Sequence, residues 1–234
     1  MITKQTCVIL VPHTSSGIEP ECQKSLEELE LRGFEVRRKS LGMIDFARSV
    51  MASEAVRDGF EHIMWIDSDI GFDPNDVLKL RAHRLPIVTG IYPKKGERAI
   101  ASNLLPGTNQ VKFGKGGGLL EISLAGAGFM FAHRDVFKAL EESLPLCNES
   151  FNLPFYPYFL PMIGEDRGKP WYLGEDFAFC ERAKRKGFQI WADTTIRLKH
   201  FGRYGFGWED AGGQLDRHDS YIFTVLPGAA PPVR

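Results

Sequence analysis

The sequence is poor in cysteine, and the cysteines it has are not spaced as pairs. Cys7, Cys22, Cys147 and Cys180 stand singly among 234 residues. Without a C-x-x-C pair, a zinc ribbon, a dithiol redox motif and a disulfide scaffold are all excluded as organising principles. The four read as reduced thiols. Charge of one sign is missing too: 29 Lys+Arg stand against 30 Asp+Glu. No basic field announces a nucleic acid, and no acidic tail suggests a solvating segment. The longest apolar run near the N-terminus, Cys7 to Val11, falls far short of the roughly 20 residues that cross a bilayer, and it lacks signal-peptide flanks. The expectation is therefore no membrane span and a cytoplasmic location. There is no internal repeat. The turn after the first apolar run, VPHTSSGIEP, has none of the glycine spacing of a phosphate-gripping P-loop.

What is present is an alternation of strand-like and helix-like segments. At 43% hydrophobic residues the chain can bury one sizeable core. Its pattern predicts an α/β fold with a mostly parallel central sheet flanked by helices. One domain is expected over residues 1–226, with a frayed tail at 227–234. CVILVPH reads as a buried strand, PECQKSLEELELRG as an amphipathic helix stopped by glycine, and FEVRRKS as an exposed strand. A second helix, DFARSVMASEAVRDG, precedes HIMWID, apolar enough for a central strand buried on both faces. Pro74 opens a third helix, with Asp73 as its N-cap. The polar stretch from Gly96 to Gly118 reads as a hairpin or mobile loop, and the aromatic, proline-rich stretch from Cys147 to Trp171 as loop.

Three local signals carry chemistry. In IDSDIGFDP, Asp67 and Asp69 flank Ser68 at the end of a buried strand, where desolvation is costly unless a cation or polar ligand compensates. That edge is where open α/β sheets bind ligands. In GEDFAFCERAKRKG, Glu175 and Asp176 open a helix, a position the helix dipole favours for acids. Such a pair also offers one carboxylate for orientation and one for proton transfer. His200 follows a later strand in IRLKHFG. Each signal alone has an ordinary structural explanation.

In this order, with the GAGF segment of Gly126 to Phe129 before an apolar strand, they resemble the GT-A glycosyltransferases, especially small bacterial and phage-type transferases that use nucleotide-diphospho-sugars. The resemblance spans roughly residues 4 to 204. It implies a GT-A fold and a divalent metal, manganese or magnesium, held by Asp69 with Asp67 and His200. It implies Asp176 as catalytic base, with Glu175 beside it positioning the acceptor. Pro12 and His13 would cradle the donor base. Arg48, Asp67, Ser68, Gly126 and Gly128 would contact the donor, although Ser49 stands where the family usually has asparagine. Trp171, Tyr172 and Trp208 are candidates for stacking on sugar rings, and HFGRYGFGWED for a lid over the donor.

The chemistry fits such a set. A leaving diphosphate gathers negative charge that a divalent ion stabilises, and oxygen ligands plus one imidazole suit manganese, with magnesium as the hard alternative. The acceptor, whether glycan, lipid, protein or modified nucleobase, must lose a proton to a carboxylate. Two alternatives are an aspartyl-nucleophile phosphohydrolase and a non-catalytic sugar-nucleotide-binding module of the same fold. The phosphohydrolases place D-x-D on the first strand, whereas here it ends a later one.

Overall fold

The computed structural model describes residues 6–14, 17–202, 204–212 and 220–224; the expected tail, 227–234, lies outside them. The first strand, β1 (Cys7–Pro12), is buried throughout, and Pro20 at the first helical turn opens α1 (Pro20–Leu31). That helix closes where Gly33 takes φ 89° and Phe34 N–H reaches back to the Leu29 carbonyl at 3.0 Å, a left-handed cap open to glycine at no steric cost. Next come β2 (Glu35–Lys39), α2 (Ile44–Arg57), β3 (His62–Ile66) and the short β4 (Ile70–Gly71). The Asp73 side chain accepts from Asn75 N–H at 2.8 Å and caps α3 (Pro74–Ala82) as expected. Then follow β5 (Ile87–Gly90), β6 (Ser102–Leu104), β7 (Gln110–Gly114), β8 (Leu119–Ala125), β9 (Phe129–His133) and α4 (Arg134–Glu141). The chain continues through β10 (Met162–Asp166), β11 (Lys169–Leu173), α5 (Glu175–Arg185), β12 (Ile190–Asp193), β13 (Lys199–Phe201), β14 (Gly205–Phe206) and β15 (Ser220–Thr224).

The main sheet has eight strands in the order β2-β1-β3-β9-β5-β12-β8-β6. Six point one way, as a mostly parallel sheet requires, while β8 and β9 run against them. Side-chain alternation sorts the core between the two faces. Val8 and Leu10 of β1 join Trp65 of β3 in a cluster with residues of α2, α4 and α5. Cys7, Ile9 and Val11 join Met64 and Ile66 in a second cluster with residues of α1 and α3. The central strands therefore carry apolar residues on both faces, the reason HIMWI is an unbroken run. Burial in these clusters pushes the thiols of Cys7, Cys22 and Cys180 up to about 12.

Two loop expectations need correction. The 96–118 stretch contains β6 and β7, which do not pair with each other: β6 pairs with β8 and β7 with β15. The 147–171 stretch includes β10 and the first half of β11, an antiparallel hairpin turning at Arg167 (φ 50°) and Gly168 (φ 75°). Two successive positive φ values match the twist of a two-residue hairpin turn. The proline of β11, Pro170, is tolerated because a two-stranded ribbon leaves alternate N–H groups unpaired.

Candidate active site

The loop after β3 is fixed by its own backbone. Asp67 N–H donates to the Gly128 carbonyl at 2.9 Å, the Ser68 carbonyl accepts from Glu19 N–H at 2.8 Å, and the Asp69 carbonyl accepts from Phe201 N–H at 2.8 Å. Three segments remote in sequence thus hold three consecutive residues, so the two acidic side chains project from a rigid base. Antiparallel pairing of β13 with β4, in the register His200 to Ile70, sets the His200 ring beside Asp69. Gly71 permits this approach, since a Cβ there would lie 2.7 Å from the Phe201 ring.

Beside this loop lies a cleft of about 240 Å³. Its lining combines apolar residues, Pro12, Leu41, Ile44 and Ala47, and His13 with a charged group, Arg48, Asp67, Asp69, Glu175 and His200, and Ser68 between the two acids in sequence. Most of the residues expected from sequence therefore meet at one place, at the carboxyl edge of β1 and β3. Gly126 and Gly128 do not line it. Both pack against Tyr92, whose hydroxyl accepts from Gly128 N–H at 2.9 Å. A Cβ at Gly128 would lie 2.6 Å from the Tyr92 hydroxyl and 2.9 Å from Asp67 Oδ2. These glycines make room for the tyrosine that braces the acidic loop. Burial, with the Asp67 charge beside it, raises Tyr92 well above the usual phenol range, so it stays a neutral hydroxyl.

Arg48 is the electrostatic centre. It lies on α2, is 2% exposed, and its guanidinium rests 5.4 Å from the Trp65 ring centroid and 5.9 Å from that of Phe159. Nη2 donates to Asp67 Oδ1 at 2.6 Å, and Nε lies 3.8 Å from Glu175 Oε1. Nε and Nη1 have no hydrogen-bond partner among the described residues. Both nitrogens are themselves buried, so Arg48 brings its positive charge to the cleft rather than these two donors. The Ser49 hydroxyl accepts from Phe159 N–H at 3.2 Å.

His200 has a defined orientation. Its Nδ1 is 2.8 Å from the Pro93 carbonyl, so it carries the proton, and Nε2 faces Asp69 Oδ1 at 3.6 Å with a lone pair. Burial holds the imidazole below its ordinary value and so neutral. A ring whose other nitrogen donates to a carbonyl is the common arrangement for a metal-ligating histidine. Two cis ligands of an ion with bonds of about 2.1 Å lie about 3 Å apart, so Asp69 and His200 need little movement to share one. Asp67 is turned to Arg48 instead, and among the described residues no three metal-ligating side chains converge. The second oxygen of Asp69 is taken by Lys95, which the sequence reading did not single out.

The two helix-opening acids occupy different environments. Glu175 lines the cleft, whereas Asp176, expected to face the acceptor, lies outside the lining with Oδ1 accepting from Phe177 N–H at 2.7 Å. Burial, reinforced by Glu175, pushes Asp176 up to about 7, against the lowering effect of Arg48. The aromatic candidates also divide. Tyr172 is exposed and Trp171 half-buried against Phe177, but Trp208 is 2% exposed and stacked on Phe113. Trp208 is a core residue, so it cannot stack on a sugar. The part of the expected lid that contains it, Trp208–Ala211, is a short 3-10 helix packed into that core.

No protein-family model matches the sequence, and no curated protein matches it. Among solved structures, the chain is similar to A197 from STIV at 15% identity and TM-score 0.56, covering 91% of this chain and 98% of that one. It also matches a glycosyltransferase involved in the glycosylation of the major capsid of PBCV-1, at 17% identity and TM-score 0.33 over 56% of this chain and 61% of that one. A third match is apo UDP-glucose pyrophosphorylase, at 11% identity and TM-score 0.40 over 88% and 76%. The likeness to A197, nearly end to end in both chains, is a likeness of fold.

Proposed function

We propose that this protein is a glycosyltransferase that takes its sugar from a nucleotide-diphosphate donor. The observation that carries the reading is the cleft's mixed lining: apolar Pro12, Leu41 and Ile44 together with a charged cluster of Asp67, Asp69, Arg48 and His200. A nucleoside diphosphate likewise combines an apolar ring with a charged group. Arg48 offers its positive charge to the diphosphate. Asp69 and His200 are the residues to hold a divalent ion, manganese before magnesium because one ligand is an imidazole. That ion would neutralise the charge gathering on the departing diphosphate. The carboxylates of Asp67, Asp69 and Glu175 on the cleft wall outnumber the cations, Arg48 on the same wall and Lys95 paired to Asp69 from outside the lining, so an anionic donor needs additional positive charge to enter.

Of the two helix-opening acids, Glu175 is the one on the cleft wall, and we assign it the acceptor's proton. Asp176, behind it, acts on Glu175 through charge. The alternative of an aspartyl nucleophile is disfavoured by Asp67 itself, whose Oδ1 is engaged by Arg48.

The test is incubation of the purified protein with a panel of nucleotide sugars and Mn²⁺, following slow donor hydrolysis and nucleotide binding. We expect turnover of one or a few donors, lost on chelation and restored by Mn²⁺. Asp69→Ala should weaken metal and donor binding together. A protein that binds no nucleotide sugar in the presence of metal would refute the reading, and hydrolysis undiminished by exhaustive chelation would remove the metal from it.

A further inference from the structure

We propose that Lys95 is a tethered counter-ion. It neutralises Asp69 in the free protein, yields that carboxylate to the divalent ion, and transfers to the donor's diphosphate. The inference rests on the functional reading above and adds a residue that neither the motifs nor the resemblance supplied.

The geometry gives Asp69 two distinct faces. Oδ1 looks at His200 Nε2 across 3.6 Å, and Oδ2 is bonded to Lys95 Nζ. The lysine comes from the segment that follows β5, two residues after the Pro93 carbonyl that orients His200. One stretch of chain thus positions both partners of Asp69. The lysine stem passes over Gly202, where a Cβ would lie 3.4 Å from Lys95 Cδ. Its neighbour Lys94 is directed elsewhere, with Nζ 3.9 Å from Glu97. The Lys95 side chain is 35% exposed and that of Asp69 32%. An ion pair this wet is weak and exchanges easily, and an ammonium on a flexible four-carbon stem moves at little cost.

A divalent ion at Oδ1 and His200 would stand beside the Lys95 ammonium. In water a double and a single positive charge about 5 Å apart repel enough to change affinity by a factor on the order of ten. The arriving diphosphate relieves that repulsion by giving Lys95 new oxygen partners. Metal and donor binding are therefore coupled through one side chain, with the donor preferring the metal-loaded protein and the metal preferring the donor-loaded protein.

The experiment measures Mn²⁺ binding without nucleotide, from the electron paramagnetic resonance of the free ion, for the natural protein and for Lys95→Met, Lys95→Arg and Lys94→Met. Binding of UDP and of GDP at saturating Mn²⁺ is then measured by calorimetry. Lys95→Met should bind Mn²⁺ on the order of ten times more tightly and the nucleoside diphosphate on the order of ten times more weakly. Lys95→Arg and Lys94→Met should stay near the natural values in the metal arm. Equal Mn²⁺ affinities, or nucleotide binding that Lys95→Met leaves intact, would overturn the proposal while leaving the metal-dependent reading in place. Failure of every variant to bind Mn²⁺ would overturn both.

Discussion

Replacing Arg48 by methionine tests whether Arg48 and Asp67 form one electrostatic unit. Methionine keeps an apolar stem against the Trp65 and Phe159 rings but removes the guanidinium bonded to Asp67 at 2.6 Å. At an effective dielectric near 20, unit charges about 4 Å apart attract by about 4 kcal/mol. The Asp67 side chain is 26% exposed, so water recovers part of that when the partner goes. Arg48→Met should then lose about 2–3 kcal/mol of folding stability, at or below the range of about 3–5 kcal/mol for a fully buried broken pair. Asp67→Asn alone leaves the buried guanidinium with only Glu175, 3.8 Å from Nε, and should also destabilise. The double variant strands neither charge, and its loss should fall short of the sum by about 1–2 kcal/mol. Urea unfolding followed by circular dichroism at neutral pH measures all four corners of this cycle. Additivity within about 0.5 kcal/mol would show that the two residues act independently and would refute the argument.

Three further outcomes are expected. Glu175→Gln should leave nucleotide-sugar binding nearly intact and slow transfer by a factor on the order of 10² or more, read by single-turnover transfer; near-normal transfer would move the base elsewhere. Because the Asp176 carboxyl is raised to about 7 in the folded protein, it contributes stability at pH below the ordinary carboxylate value, and that contribution is lost as pH rises through about 7. Asp176→Asn should therefore flatten the decline of melting temperature between pH 5 and 8, and it should remove a rise in transfer rate near pH 7; a decline unchanged in the variant would assign it to another group. Gly128→Ala forces a methyl group against Tyr92 and Asp67 and should cost about 1–3 kcal/mol, with donor affinity falling in parallel; a melting temperature equal to that of the natural protein would show the loop to be soft.

Much of the site could be read from sequence because its signals are local. An unbroken apolar run ending in Asp-Ser-Asp can only be a buried strand delivering acids to a sheet edge, and Glu175 with Asp176 follows a glycine where a helix must begin. The direction of β9 was not readable, since periodicity reports that a segment is a strand but not which way it runs. The β10–β11 hairpin was obscured because Gly164 and Pro170 are poor strand formers on any propensity scale. Tyr92 and Lys95 carry no local sequence signal, for another reason. Their partners, Gly128 and Asp69, lie 36 and 26 residues away, and side-chain pairing across a sheet edge leaves no periodic trace. Lys199–Phe201 explains why a single histidine was a weak signal: only its pairing with β4 gives His200 a carboxylate to face.

The three backbone hydrogen bonds that hold Asp67, Ser68 and Asp69 come from residues 19, 128 and 201, and this has a consequence for how the protein is made. On a ribosome the acidic strand end emerges early, but its last fastener emerges about 130 residues later. Closing loops of that length is entropically expensive and slow. Until β13 arrives, Asp69 lacks both the Phe201 bond to its backbone and the His200 imidazole beside its carboxylate. The complete acidic loop, with His200 beside Asp69, therefore exists only in a nearly finished chain.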